Sequence, residues 1–242
     1  MTRSVGKKPP SRRESHQQKR ESDYQMQDSY GYAQERKVPP IEPRTWNQKQ
    51  YINSMKGNIC TVAIGPPGTG KTFIATSIAA DLLREKLIKK IFLCRPIVEA
   101  GEELGFLKGT LEEKLAPYMI PFMEVFNWRL GHSFAKACLS DGKIEVVPFA
   151  YMQGRTMDDC WVILDEAENT SRRQMKNFLS RIGENCTVVI NGDVGQKFIK
   201  EDSGLTDMLN RLGNSDNVGI VEFTINDIVR SGFCKEVVLA YL

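Results

Sequence analysis

Residues 65–72 read Gly65-Pro66-Pro67-Gly68-Thr69-Gly70-Lys71-Thr72 and fit the spacing G-x-x-x-x-G-K-[ST] without a gap. Nothing else in the chain narrows its fold as much. Glycines at these places let the backbone wrap so that successive N–H groups converge on the α- and β-phosphates of a nucleotide. Lys71 would reach the β and γ oxygens, and the Thr72 hydroxyl would hold Mg²⁺. Such a loop needs a strand before it and a helix after it. The apolar run Ile59-Cys60-Thr61-Val62-Ala63-Ile64 predicts the strand, and the pattern from Thr72 to about Lys86 predicts the helix. The phosphates would then sit at a helix N-terminus. Gly65 through Thr72, with Phe73 directly after, form the expected phosphate-contact set.

The rest of the chain supports an α/β architecture. Apolar runs at 59–64, 90–94, 144–147, 161–164, 187–190 and 218–223 alternate with helical patterns at 71–86, 110–129, 171–182 and 204–212. That alternation predicts a mainly parallel sheet with helices on both faces, and ligand sites at the carboxyl ends of the strands. A length of 242 residues with 41% hydrophobic content suits one domain with a proper core. No apolar stretch reaches the length of a membrane span, and no apolar run follows the N-terminal charges, so neither a membrane segment nor a secretory signal is expected. Six cysteines occur without a C-x-x-C pair. Reduced, buried thiols in a cytoplasmic protein are the expectation.

Charge is unevenly placed. Residues 1–44 hold 10 Lys/Arg against 6 Asp/Glu, while the remaining residues hold 23 against 24. Residues 1–44 read as a disordered basic and polar arm, and residues 45–242 as a single domain. The first 20 residues carry seven Lys/Arg against Glu14, and Tyr24, Tyr30 and Tyr32 follow. This is either an electrostatic tether with stackable rings for RNA or DNA, or a solvated tail. A near-neutral remainder excludes a bulk-basic nucleic-acid binder, so any basic groove must be local.

A second motif completes the chemistry. Trp161-Val162-Ile163-Leu164-Asp165-Glu166 is an apolar strand ending in two acids. In phosphate-loop enzymes an Asp at this place holds Mg²⁺, and an adjacent Glu polarises the water that attacks the γ-phosphate. The Asn-Lys-x-Asp motif of guanine readers does not occur, and a small-molecule kinase seldom uses a water-activating Glu. ATP and Mg²⁺ are therefore the expected ligands. After the strand ending at Ile190, Asp193 and Gln196 are candidates to sense the γ-phosphate or orient water. Arg230 is a candidate to stabilise charge on the transferring phosphate. Gln48, upstream of the loop, can read the adenine edge, donating and accepting through one amide.

The run Cys94-Arg95-Pro96-Ile97-Val98-Glu99-Ala100-Gly101-Glu102-Glu103-Leu104-Gly105-Phe106-Leu107 closely resembles the R-P-x-V-E-A-G-E-x-L-G-F-L signature of PhoH-like proteins. Pro148 to Thr156 is similar to that family's P-x-A-Y-M-R-G-R-T segment, and Leu164 to Thr170 to its L-D-E-x-Q-N-T. Gly192-Asp193-x-x-Gln196 and Asp227-Ile228-Val229-Arg230 match its G-D-x-x-Q and D-V-V-R elements. The resemblance covers roughly residues 44–242. It implies a RecA-like fold, ATP binding and hydrolysis, and kinship to the superfamily 1 helicase core. Some members carry a PIN-type ribonuclease domain and act on RNA; this chain has no room for one, so nuclease activity is not expected. By motif position Arg95, Glu99 and Glu102 lie where helicase relatives place nucleic-acid contacts, and Arg155 joins them as a candidate. The chain departs from the family pattern at Glu168, usually Gln, at Lys197-Phe198 and at Ser231.

One RecA-like unit supplies one of the two surfaces between which a translocating helicase closes ATP. A ring-like homo-oligomer such as a hexamer is therefore expected, with Arg230 near a nucleotide in its own subunit or the next. The leading expectation is an ATPase acting on RNA or single-stranded nucleic acid. A nucleotide-dependent switch with little turnover remains open. An AAA⁺-type remodeller is disfavoured because the helical lid of that class is not evident.

Overall fold

Alternating side chains along the strands sort the core into two layers. The computed structural model describes residues 37–96, 111–152, 154–195 and 203–240. Of the sequence-predicted site residues, Glu99, Glu102 and Gln196 lie outside the described residues, as does the arm up to residue 36. Six strands, β1 (Cys60–Ile64), β2 (Lys90–Cys94), β3 (Ile144–Val146), β4 (Cys160–Leu164), β5 (Thr187–Gly192) and β6 (Val218–Glu222), form one sheet. Its order is β3-β2-β4-β5-β1-β6 and every pairing is parallel. Ile91, Leu93, Trp161, Ile163 and Val189 point to one layer. Their neighbours Phe92, Cys94, Val162, Leu164, Val188 and Ile190 point to the other. Burial on both faces is why these strands read as continuous apolar runs rather than as alternating ones.

Helices α1 (Trp46–Gly57), α2 (Lys71–Arg84), α3 (Leu111–Leu130) and α4 (His132–Ser140) cover the first face through residues such as Tyr51, Ala75, Ala79, Phe126 and Phe134. Helices α5 (Arg172–Leu179) and α6 (Gly204–Leu212) cover the second through Met175, Phe178, Leu205 and Met208. The expected α/β architecture with helices on both faces is the observed one, and the whole sheet is parallel. Helix α7 (Gly232–Ala240) follows the last strand and leaves Phe233 and Leu239 exposed. The sequence pattern did not mark α1, α4 or α7. Helix α1 is polar and is held by its ends: Gln48 N–H donates to the Thr45 hydroxyl at 3.2 Å, and Asn58 N–H donates to the Ser54 carbonyl.

This topology opens a crevice where a ligand belongs. Strand β1 leaves toward β2 through α2 on the first face, whereas β5 leaves toward β6 through α6 on the second. The two strands are neighbours, so their outgoing connections diverge at their carboxyl ends. The loops after β1, β4 and β5 all meet there.

One buried ion pair ties the first face together. Arg129, at the end of α3, is only 1% exposed. Its Nε donates to Asp81 Oδ1 at 2.9 Å, and Nη2 donates to Asp81 Oδ2. Nη1 donates to the Pro39 carbonyl at 2.7 Å, which fixes the segment before α1. Residues 37–44, read from the sequence as the end of the arm, thus run against the domain. The five cysteines with described side chains are free and buried. Burial pushes the Cys60 and Cys138 thiols up to about 12, which makes them inert packing groups. Among the described residues no helix is long and apolar enough to cross a membrane.

Candidate nucleotide-binding site

The phosphate loop is braced from three sides. Gly65 N–H donates to the Gly192 carbonyl at 3.2 Å, Phe223 N–H to the Ile64 carbonyl at 2.7 Å, and Val229 N–H to the Gly68 carbonyl at 3.1 Å. Gly65 has φ +138°, and a Cβ there would lie 2.3 Å from the Phe223 carbonyl oxygen, so only glycine fits. Gly70 is the N-cap of α2, with φ 87° and no side-chain cap. The N-cap residue therefore puts no side chain on the first N–H groups of α2, and the helix dipole favours an anion there. Lys71 Nζ donates to the Gly65 and Pro66 carbonyls at 2.6 and 2.9 Å, so its ammonium lies along the loop. Burial pulls the Lys71 ammonium down from its ordinary value, and the carboxylates of Asp193, Asp165 and Glu168 oppose that.

The cleft beside the loop has a volume of about 610 Å³, a size typical of small-ligand sites. Thr72 Oγ1 donates to Asp165 Oδ1 at 2.9 Å, which joins the end of the loop to the end of β4. A hydroxyl and a carboxylate are hard oxygen donors that suit Mg²⁺, which completes its shell with water and phosphate oxygens. Among the described residues no group of three or more His, Cys, Asp or Glu could cage a metal alone. Thr72 and Asp165 fit the ion as partners of a nucleotide. Burial pushes the Asp165 carboxyl up, while the Arg95 guanidinium and the Thr72 hydroxyl oppose it.

The two described candidates for nucleic-acid contact fall in different places. Arg95, a candidate nucleic-acid contact, lines the nucleotide cleft, and its Nη2 pairs with Glu166 Oε1. Glu166 itself has φ 54°, a left-handed conformation uncommon outside glycine. Arg155, the other described candidate, pairs with Glu145 at 2.5 Å at the sheet edge and is not among the cleft residues. It braces β3.

Gln48 is 3% exposed and brackets the loop. Its Nε2 donates to the Thr69 carbonyl at 3.0 Å, and its Oε1 accepts from Arg44 N–H at 2.7 Å. One donor and one lone pair of the amide are left for a base edge. Ile41, Glu42 and Arg44 line the same end of the cleft, and Phe73 lines it beside Trp128, ring centroids 5.5 Å apart. Arg230 also lines the cleft; its Cγ and Cδ lie 3.4 and 3.3 Å from where a Cβ on Gly68 would be. The segment carrying Arg230 is fastened to α1 by Asp227. That carboxylate accepts from Asn47 Nδ2 at 2.8 Å and from Thr224 N–H at 2.8 Å. Burial pushes the Asp227 carboxyl up, but these hydrogen bonds outweigh it and hold it below its usual range.

Glu168 is a site residue that the sequence flagged only as a departure from a family pattern. It is 6% exposed, lines the cleft, and its Oε2 accepts from Asp193 N–H at 3.0 Å. Burial pushes its carboxyl up to about 7. Between pH 4.5 and 7 the folded chain thus keeps a proton that the unfolded chain has lost, so this group's contribution to stability falls as pH rises through that window. Above pH 7 the penalty is about 3 kcal/mol. Glu168→Gln keeps the acceptor and removes the charge. It is expected to raise the melting temperature by roughly 6–12 °C at pH 8, and far less near pH 5, with nucleotide and Mg²⁺ absent. Equal melting temperatures for the two proteins at both pH values would show that Glu168 ionises normally.

Comparison with known proteins finds relatives over most of the chain. The sequence profile of the family described as PhoH-like protein matches residues 40–242. Protein PhoH of Escherichia coli K12 is 44% identical over 210 residues, which are 85% of this chain and 59% of that protein. The PhoH-like protein of Bacillus subtilis 168 is 43% identical over 205 residues, 83% of this chain and 64% of that protein. The chain thus spans about three fifths of the length of these relatives. Among solved structures, the large terminase of a thermophilic bacteriophage has a TM-score of 0.48 at 11% identity, covering 83% of this chain and 51% of that one. The UvsW helicase of bacteriophage T4 has a TM-score of 0.44 at 16% identity, covering 82% and 67%.

Proposed function

The chain belongs to the PhoH-like protein family, and from that premise we propose that it hydrolyses ATP with Mg²⁺ and couples hydrolysis to RNA or single-stranded nucleic acid. One observation carries the reading. A phosphate loop, a Thr72–Asp165 oxygen pair, a glutamate next to that aspartate and an arginine all face a single cleft. Lys71 and the open start of α2 bind the phosphates. Thr72 and Asp165 hold Mg²⁺, which when bound neutralises charge on the β- and γ-phosphates. Glu166 accepts the proton of the attacking water, and Arg230 steadies the charge that develops on the γ-phosphate. Gln48 and the Phe73 ring, backed by Trp128, bound the base end. The second RecA-like surface comes from a neighbouring copy in a homo-oligomer, a hexameric ring being one such form. Light scattering that finds only monomer, with and without ATP and Mg²⁺, would count against the oligomer.

The test is ATP turnover by the purified chain with Mg²⁺, with and without single-stranded RNA. RNA-stimulated turnover is expected. Glu166→Gln is expected to lower kcat by about 10²–10⁴-fold while keeping ATP binding, and Lys71→Ala is expected to lose both. Turnover indifferent to RNA and to single-stranded DNA would remove the nucleic-acid arm of the proposal. The Arg95–Glu166 pair favours a second reading, a nucleotide-dependent switch with little turnover, since it occupies the carboxylate that water would need. Tight ATP binding without hydrolysis, with or without RNA, would select it.

A further inference from the structure

We infer that Arg95 is a positioning residue that holds Glu166 away from the attacking water and exchanges it for the terminal phosphate of a bound nucleoside triphosphate. The inference rests on the nucleotide-hydrolase reading of the same site and adds a trigger to it.

The placement begins with the sheet. Arg95 directly follows β2, and β2 pairs with β4 in a register that sets Cys94 opposite Leu164. Asp165 N–H donates to the Cys94 carbonyl at 2.9 Å, which carries the pairing one residue past the end of β4. Arg95 and the Asp165-Glu166 pair are thereby fixed side by side, independently of any ligand. The ion pair between them is half sheltered, with side chains 21% and 40% exposed. It sits in the cleft with the phosphate loop.

Two further features make this contact exchangeable. The Arg95 Nε is buried and has no hydrogen-bond partner among the described residues, so the guanidinium fork is only partly used. A buried unsatisfied donor on a cation is costly, and a phosphate oxygen is the acceptor that matches it. Glu166 meanwhile is held in a left-handed backbone conformation, which ties its side-chain direction to a strained and therefore over-determined turn. Of the two partners, Arg95 has the longer side chain and more rotatable bonds with which to reach a second acceptor. A triphosphate placed along Gly68 to Lys71 brings into the cleft negative charge that a diphosphate lacks at the γ position. The guanidinium then has a better partner than one carboxylate, and Glu166 is released to accept the proton of water. Hydrolysis removes the γ-phosphate, and the Arg95–Glu166 pair re-forms.

The consequence is an energetic coupling between residues 95 and 166 that is specific for triphosphate. It is read by the affinities of wild type, Arg95→Gln, Glu166→Gln and the double variant for Mg²⁺-ATP and Mg²⁺-ADP, by titration calorimetry. Glu166→Gln removes the competitor and should tighten ATP by about tenfold, the scale of one charge-assisted hydrogen bond, with ADP unchanged. Arg95→Gln should weaken ATP by about tenfold and leave ADP within about twofold. In the Arg95→Gln background, Glu166→Gln should no longer affect ATP. Persistence of the Glu166→Gln gain without Arg95 overturns the inference. So does a loss in Arg95→Gln that is equal for ATP and ADP, since a merely structural role would weaken both alike. Wild type that binds neither nucleotide would instead overturn the nucleotide-hydrolase reading itself.

Discussion

Arg230→Ala is expected to slow ATP hydrolysis by about 10³-fold or more while changing ATP affinity by no more than about tenfold. The magnitude is that of an arginine acting on the charge of a transferring phosphate, which matters in the transition state more than in the bound state. The geometry adds a sharper expectation. Arg230 lies over Gly68 of its own phosphate loop, and the preceding residue, Val229, is hydrogen-bonded to that glycine's carbonyl. The arginine should therefore serve the nucleotide of the chain that carries it, even inside an oligomer. Mixing Arg230→Ala with Lys71→Ala tests this, because each variant retains what the other lacks. If Arg230 works within its own chain, the mixture stays as inactive as its parts. Recovery of turnover on mixing would mean that the arginine crosses to a neighbour.

Arg129→Ala is expected to destabilise the fold by about 3 kcal/mol and lower the melting temperature by roughly 6–12 °C. The side chain is among the largest fully buried in the domain and bridges α2, α3 and the Pro39 carbonyl. The expected loss sits at the lower end for buried ion pairs because Asp81 keeps a second partner, Arg84 Nη2 at 3.2 Å. Stability is only half of the effect. The Pro39 contact positions the segment that brings Ile41, Glu42 and Arg44 to the cleft. Arg129→Ala should thus raise the KM for ATP at temperatures well below the melting transition. A variant with wild-type melting and wild-type KM would show that the segment is placed by other contacts.

Much of the fold was legible because both faces of the sheet are covered. Double burial makes β2, β4 and β5 near-uninterrupted apolar runs, and β4 placed the Asp165-Glu166 pair as the run at 59–64 placed the phosphate loop. Strand β5 runs two residues past the apolar run, to Gly192. Asn191 is polar, yet it belongs in the strand because the Tyr51 hydroxyl donates to its Oδ1 at 2.6 Å from α1. No sequence pattern reveals a partner 140 residues away. Helix α4 escaped notice because Gly131, at φ 86°, separates it from α3, and its buried residues span only Phe134 to Cys138. The site followed the same division. Residues placed by local spacing, from Pro67 to Thr72 and at Asp165, line the cleft. Arg95 and Glu168 acquire their surroundings from the sheet order, in which β4 stands between β2 and β5. Order in a parallel sheet is set by long-range packing, so their meeting with Glu166 and Asp193 is invisible in the chain.

The bond from Asn47 to Asp227 makes one rigid bracket of the helix that carries Gln48 and the segment that carries Arg230. On the proposed reading, one arm of the bracket would meet the base of the nucleotide and the other its phosphates. A ligand with the right phosphates and the wrong base would load the phosphate loop yet leave the bracket seated at only one end. Fidelity toward the base would then be enforced after loading, as a slow reaction of the mismatched complex rather than as its rapid departure.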